Sequence, residues 1–260
     1  MKIRIPFFIL VLYASASTAN PHLFQADSLY ALRAVGFQPK TGLVDTTNIN
    51  QSIRQYKKAV MLSDSSETEE IFWKLMQCYY YKGNYTTDDK ALKKQLFLKG
   101  IKIGEEALES YPQSPGLHFW MGILWGYWSE QVGLLTAGRK GVANKVRYHA
   151  ESLIKIQDTF ADGGGYRTLG RLNYEAPKIP IILGWPSKKK ASDYLQKAYS
   201  INPNNLFTKQ YYAEALYHKG NQEDAIKLMN EILEVKETVH GIAEDAFIKR
   251  EAYHFLNKHN

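Results

Sequence analysis

Apolar residues recur about every 3.6 positions along almost the whole chain, and this periodicity limits the fold more than any other feature of the sequence. After Thr46, for example, Ile49, Ile53, Tyr56 and Val60 fall on one face of a helix. No segment alternates convincingly between apolar and polar residues as a strand does. The pattern therefore predicts an all-α fold. Helices are expected near residues 48–63, 67–82, 88–110, 116–131, 142–159, 165–176, 187–200, 206–219, 222–235 and 241–257.

The last of these helices form a repeat. Ala191, Leu195 and Ala198 precede Pro203, and Ile232 follows Ala198 by 34 residues. That interval and the small residues resemble the tetratricopeptide repeat, in which paired antiparallel helices stack into a solenoid. We therefore predict one tetratricopeptide-like α-solenoid over residues 20–260, with elongated early repeats. In those early repeats the positions equivalent to Ala198 are Ala59, Ala107 and Ile154, at intervals of 48, 47 and 44 residues.

Glycines are expected to have two roles in such an array. Met121-Gly122 and Leu169-Gly170 resemble the Leu-Gly pair at the centre of a first helix, so both glycines should lie where a facing helix leaves no room for a larger side chain. Other glycines should separate helices. These breaks are expected at Gly83-Asn84, Gly163-Gly164-Gly165 and Gly220-Asn221.

The first 19 residues have the order of a secretory signal peptide. Lys2 and Arg4 precede an apolar run over residues 5–14, and small residues follow. Cleavage is expected after Ala16 or Ala19. We therefore expect residues 1–19 to be a cleaved signal peptide and the mature protein to be periplasmic.

Charge and cysteine usage restrict the partners. Loss of Lys2 and Arg4 would lower the formal charge from +7 to +5, which is too modest to indicate nucleic-acid binding. The run Lys188 to Lys190 is interpreted as the solvated start of a helix. Since Cys78 is the only cysteine, we expect no intrachain disulfide and no lipoprotein.

One segment suggests a more specific relative. From Gly163 to Pro177 the chain joins a glycine triplet, an arginine-containing helix and a proline-bounded loop, and a long helix from Lys90 to Tyr111 precedes them. Over roughly residues 45–235 this order resembles the T component associated with TRAP transporters. The resemblance implies a periplasmic protein that docks a solute-binding protein, contacts its small organic acid or hydrophobic ligand, and is able to form homo-oligomers. The alternative is a general exported scaffold for envelope proteins, without a small-molecule ligand.

The first helices of a tetratricopeptide array line its concave surface, where partners usually bind. Arg167 and Arg171 are four residues apart, so their guanidinium groups could form a fork for a carboxylate. Alternatively, Arg171 pairs with Glu175 and Arg167 is solvated. The residues predicted to line the groove are Trp73, Tyr80, Phe119, Tyr127, Arg167, Arg171, Tyr174, Glu175 and Tyr217.

The sequence has no arrangement that indicates catalysis. The histidines lack metal-ligand spacing, and no nucleophile–base pair can be proposed. The phosphate-loop spacing of Gly133 to Lys140 has arginine in place of the required lysine. We therefore expect a protein that is not an enzyme and holds no cofactor and no metal.

Overall fold

The computed structural model describes residues 20–63, 65–177 and 183–259, and these residues form twelve helices and no strand. The predicted all-α fold is confirmed. The helices are α1 (Pro21–Ala31), α2 (Thr47–Leu62), α3 (Ser65–Tyr85), α4 (Lys90–Ser110), α5 (Pro115–Val132), α6 (Leu134–Arg139), α7 (Val142–Gln157), α8 (Phe160–Glu175), α9 (Lys188–Ile201), α10 (Leu206–Lys219), α11 (Gln222–Glu234) and α12 (Ile242–His259).

The helices pack as consecutive pairs, which is the arrangement of a tetratricopeptide-like solenoid. The pairs are α1 with α2, α3 with α4, α5 with α7, α8 with α9, and α10 with α11, followed by α12. The first helices also contact one another in succession, α3 with α5, α5 with α8, α8 with α10, and α10 with α12. The first helices therefore form an inner row, and α2, α4, α7, α9 and α11 form an outer row.

Short polar residues begin several of these helices. The Asp89 side chain accepts hydrogen bonds from the backbone N–H groups of Ala91 and Leu92, which otherwise lack partners in the first turn of α4. Ser114 caps α5 in the same way, with Pro115 at the first helical position. At the other end of a helix, Gly220 terminates α10 with φ 99°. The predicted break at Gly220 is confirmed.

The early repeats are elongated, as predicted. Helices α3 and α4 each have 21 residues, whereas α10 and α11 have 14 and 13. Ala59, Ala107, Ala198 and Ile232 are all buried between helices. Ile154 is half-buried, beside the buried Leu153. Burial therefore supports the predicted register at Ala59, Ala107, Ala198 and Ile232 and not at Ile154. Longer helices supply the extra residues in the α3–α4 repeat, whereas α6 and the loop between α8 and α9 supply them in the next two.

The glycine predictions have mixed outcomes. Gly170 lies against α9, where a Cβ would overlap Leu195. Gly122 has no such close neighbour, because the atom nearest to an added Cβ would be Thr168 Cγ2 at 3.5 Å, an ordinary contact. Gly83 was predicted to separate two helices and lies inside α3, where its missing side chain makes room for the Phe97 ring.

At the predicted glycine-triplet break the left-handed turn begins before the triplet. Ala161, Asp162 and Gly163 have φ values of 51°, 57° and 71°. Two of these residues carry a Cβ, so the conformation is held by surrounding contacts rather than by glycine alone. Gly164 and Gly165 belong to the helix that follows and approach Phe119 and Ile154 closely.

The two ends of the described solenoid are joined by Arg33 and Glu244. Arg33 Nε and Nη2 donate to Glu244 Oε1 at 3.0 and 2.8 Å, and Nη2 also donates to the His240 carbonyl at 2.7 Å. The Arg33 guanidinium covers the Tyr30 and Tyr81 rings at 4.6 and 5.3 Å. We call these contacts the clasp. They bring the segment after α1 against the start of α12, so the solenoid closes on itself.

The signal-peptide prediction for residues 1–19 lies outside the described residues, as do residues 178–182 of the proline-bounded loop. Among the residues that the structure describes, no helix combines the length and apolar character needed to cross a membrane.

Candidate functional site

The predicted groove residues all lie on helices of the inner row. Trp73 and Tyr80 belong to α3, Phe119 and Tyr127 to α5, and Tyr217 to α10. Helix α8 carries the remaining four, Arg167, Arg171, Tyr174 and Glu175. The structure divides these residues into an aromatic cluster, two arginine sites with separate partners, and outlying side chains.

The aromatic cluster is centred on Tyr80. Its ring lies 5.0 Å from Tyr127, 5.3 Å from Trp120 and 6.1 Å from Tyr85 between centroids. Its hydroxyl lies 3.4 Å from the hydroxyls of both Tyr127 and Tyr85. Burial raises the pKa of all three tyrosines well above the ordinary value, so they stay neutral and act as hydrogen-bonding groups. Tyr127 keeps part of its surface accessible.

Arg171 lies between two carboxylates and two aromatic rings, those of Tyr211 and Tyr174, and the centroid of the Tyr174 ring is 5.8 Å from its Cζ. It forms ion pairs with Glu214 on α10 and, at 2.9 Å, with Glu175 on its own helix. Its guanidinium covers the Tyr211 ring at 4.4 Å. Burial lowers the pKa of Arg171, but the negative charges of Glu214 and Glu175 outweigh this effect and raise it overall. The predicted Arg171–Glu175 pair is present, and Glu214 joins it.

Arg167 has different partners and is buried rather than solvated. Its Nη1 and Nη2 both donate to the Ala161 carbonyl at 3.1 Å, and Nη1 also donates to Thr208 Oγ1 at 3.1 Å. The left-handed turn directs the Ala161 carbonyl toward this guanidinium. The two arginines therefore serve separate neighbours here and do not form one fork.

The outlying side chains are Trp73, Tyr174 and Tyr217. Trp73 covers Gly116, where an added Cβ would overlap its ring. Tyr174 packs on His218, with 6.1 Å between ring centroids. Tyr217 stacks on His259 at 4.1 Å. The structure thus brings Tyr80 and Tyr127 together, leaves Tyr174 beside Arg171, and places Trp73 and Tyr217 elsewhere along the inner row.

Sequence reasoning did not identify Tyr211 or the clasp residues. Tyr211 belongs to α10, and its ring lies beside the Arg171 guanidinium. The sequence contains a signal for this position, because Glu214 follows Tyr211 by three residues and so shares its face of the helix. Arg33 and Glu244 are separated by 211 positions. No local pattern in the sequence connects two such distant residues.

Burial raises the pKa of the Cys78 thiol to about 12, so this cysteine is not a reactive thiolate. Within the described ranges, no three His, Cys, Asp or Glu side chains come together as a metal site requires. Tyrosine and arginine on a concave surface are the residue types that dominate protein-binding hot spots.

Comparison with known proteins identifies the family. The family model described as Regulator of microtubule dynamics protein 1-3 matches residues 43–260. The chain belongs to this family. The resemblance to the T component of TRAP transporters is therefore wrong, since the family that matches is a different one. The features behind it, a glycine triplet and long early helices, are properties of a stretched solenoid and do not distinguish its families.

A solved structure supports the fold. The crystal structure of TTC0263, a thermophilic TPR protein in Thermus thermophilus, is similar with a TM-score of 0.59 and 14% identity, over 90% of this chain and 97% of that one. The fold is therefore a tetratricopeptide-like α-solenoid. Two crystal structures of MamA match with lower TM-scores of 0.46 and 0.48, with 17% and 15% identity, over 85% and 84% of this chain and 97% of each MamA chain. A comparison with curated proteins finds no match.

Proposed function

We propose that the protein is a non-catalytic scaffold that binds another protein on the inner row of its solenoid. The observation that carries this proposal is Arg171, which is charged, one-third exposed and surrounded by accessible tyrosine surface. Arg171 can exchange a carboxylate of its own chain for a carboxylate of another molecule, and its guanidinium charge stays paired throughout. The solenoid fold supports the same role.

The partner supplies a carboxylate to Arg171 in place of Glu175. The Glu175 side chain is 55% exposed, whereas that of Glu214 is 15% exposed. Releasing Glu175 to water costs little, because an exposed ion pair contributes about 0–1 kcal/mol. Glu214 stays and orients the guanidinium. An acidic side chain or a chain terminus of a protein fits this site, and a small organic acid offers the same chemistry.

Export is part of the proposal. The order of charge, apolar run and small residues in positions 1–19 supports a periplasmic, exported protein. The name of the family refers to microtubules, and that function is stated for the proteins that gave the family its name. The proposed scaffold role rests on the fold and on Arg171. It does not depend on a function related to microtubules.

Photo-crosslinking in living cells tests the proposal. In one variant a photoreactive phenylalanine analogue replaces Tyr174 on the inner row. In the matched control it replaces Tyr148, a residue of outer helix α7 whose surface is 60% exposed. A discrete crosslinked protein is expected from position 174 and not from 148. Adding Arg171→Lys should weaken the crosslink about tenfold, because lysine cannot make parallel hydrogen bonds. Equal crosslinking from both positions, or none from 174, would contradict the inner-row assignment.

A further inference from the structure

Basic residues are concentrated at the beginnings of three neighbouring outer helices. Lys90 and Lys94 lie in the first two turns of α4, Arg139 and Lys140 end α6 just before the Gly141 cap of α7, and Lys188, Lys189 and Lys190 open α9. All seven side chains are exposed. Each of these outer helices packs between two successive inner helices, α4 between α3 and α5, α7 between α5 and α8, and α9 between α8 and α10. The outer helices therefore run in the same direction, and their first turns face one edge of the solenoid. We call these seven residues the basic edge.

The position of the α9 lysines opposes the helix dipole. The N-terminal end of a helix carries partial positive charge, so acidic residues stabilise it and basic residues destabilise it. The first turn of α9 contains no acidic residue, whereas that of α11, also in the outer row, contains Glu223 and Asp224. The other cations are not unfavourable in this way, because Asp89 caps α4 and Arg139 lies in the last turn of α6. The stability of α9 is thus reduced at this edge, which points to a function for its three lysines.

The cations are also left without internal counter-charges. Among the described residues, none of the seven forms an ion pair. Two of the neighbouring carboxylates are engaged elsewhere. Asp89 caps α4, and Glu175 pairs with Arg171. A surface of unpaired cations attracts an acidic partner over the range of a Debye length.

Apolar side chains lie within the same edge. Leu134 and Leu135 on α6 are 61% and 79% exposed, and they precede Arg139 and Lys140 by about one helical turn. The edge is also held in place between helices, because Trp185 Nε1 donates to Asn144 Oδ1 at 3.1 Å. This bond ties the segment before α9 to the first turn of α7. The basic edge is therefore a positioned surface of mixed charge and apolar character.

We propose that the basic edge binds an acidic, extended segment of a partner protein in which carboxylates alternate with apolar residues. Packed helices are about 10 Å apart, and α4 reaches α9 through four such packings, by way of α5, α7 and α8, so the edge spans at most about 40 Å. About twelve extended residues cover that length. The inference rests on the proposed function in taking a protein as the partner, and the basic edge adjoins the inner row at Lys188, whose Nζ lies 5.0 Å from the centroid of the Tyr174 ring.

An acidic protein segment fits this edge better than an anionic bilayer does. Asp88 and Glu130 are exposed near the same helix ends, and Asp88 lies 3.9 Å from Lys93. A continuous layer of anionic headgroups would meet these carboxylates. A protein segment has its own pattern of charges, so it can place carboxylates opposite the lysines and other residues opposite Asp88 and Glu130.

The test uses a labelled peptide of repeated Glu-Glu-Leu triplets and the full chain. The edge variant is Lys189→Glu and Lys190→Glu, which leaves Lys188 and its contact with Tyr174 unchanged. The matched control changes two exposed cations of α2, Lys57→Glu and Lys58→Glu, which alters the net charge equally. Peptide affinity should fall at least about tenfold in the edge variant and less than about twofold in the control. The melting temperature of the edge variant should be unchanged or higher, because Glu suits the start of α9.

Three outcomes would overturn the proposal. Equal losses in the two variants would show attraction to net charge rather than to the edge. An unchanged peptide affinity in the edge variant would show that these lysines do not take part in binding. Tighter binding of the wild type to vesicles of phosphatidylcholine and phosphatidylglycerol than to the peptide, lost in the edge variant, would assign the edge to a membrane. The Tyr174 crosslink reports on the inner row separately, so failure of one proposal is distinguishable from failure of the other.

Discussion

A buried pair of histidines makes the stability of the protein sensitive to mild acid. His118 on α5 and His149 on α7 place their Nδ1 atoms 3.0 Å apart, and His118 Nε2 lies 3.1 Å from the Pro112 carbonyl. A carbonyl only accepts, so His118 carries its proton on Nε2 and His149 Nδ1–H donates to His118 Nδ1. Both rings are therefore neutral in the folded state. Adding a proton to His149 places a charge among buried groups.

The magnitude follows from the pKa values. Burial, with further contributions from His118 and Lys145, lowers the pKa of His149 to about 3, against about 6.5 in an unfolded chain. The unfolded chain then binds more protons below pH 6.5, so the free energy of unfolding falls as pH decreases and keeps falling to about pH 3. Between pH 7 and pH 5 the loss attributable to His149 is about 2 kcal/mol. Burial also lowers the pKa of His118, which adds in the same direction.

Urea unfolding of wild type and His149→Gln at several pH values tests this reasoning. The glutamine amide can still donate to His118 Nδ1 and does not titrate. The wild type should lose about 2 kcal/mol more than the variant between pH 7 and pH 5. Subtracting the two curves cancels other titrating groups, among them His240, whose pKa burial also lowers. Parallel curves for the two proteins would refute the assignment of a depressed pKa to His149.

Two further predictions concern packing and closure. Gly170→Ala should lower the free energy of unfolding by about 1–3 kcal/mol because its Cβ would overlap Leu195, whereas Gly122→Ala should be neutral or raise it by up to about 1 kcal/mol. Equal effects in chemical denaturation would contradict this contrast. Arg33→Met should cost about 3–5 kcal/mol, since it leaves the buried Glu244 carboxylate without its partner. Adding Glu244→Gln should recover part of that loss, and no recovery would mean that the ion pair is not the source.

The periodic part of the fold could be predicted because burial imposes it. Each predicted helix is present, with ends within a few residues, since its apolar face packs against neighbours close in sequence. Helix α1 was missed because its three turns show little amphipathic character, and contacts from α2 hold it in place, including the hydrogen bond from Ser52 to the Ala26 carbonyl at 2.9 Å. Gly83 was misinterpreted because a glycine that admits a neighbouring ring and one that ends a helix look alike in sequence.

The candidate site was predicted less completely because it depends on which inner helices face each other. Helix spacing correctly placed Arg167 and Arg171 on one helix and indicated the Glu175 pair. It could not show that a left-handed turn presents the Ala161 carbonyl to Arg167, because two of its three residues are not glycine. It also could not assign Glu214, which reaches Arg171 from the next inner helix. To predict contacts between repeats, one must know how far each repeat is rotated from the one before it. Hydrophobic periodicity gives no information on this rotation.

Closure of the solenoid depends on the rotations between repeats more than any other contact does. A solenoid's curvature accumulates from small rotations between repeats, so the meeting of Arg33 with Glu244 requires every intervening rotation to be right. Closure is therefore a property of the whole array of repeats. It also changes how the inner row can be reached. With the clasp intact, we expect the proposed partner to reach Arg171 as a narrow segment that enters from an open edge of the ring.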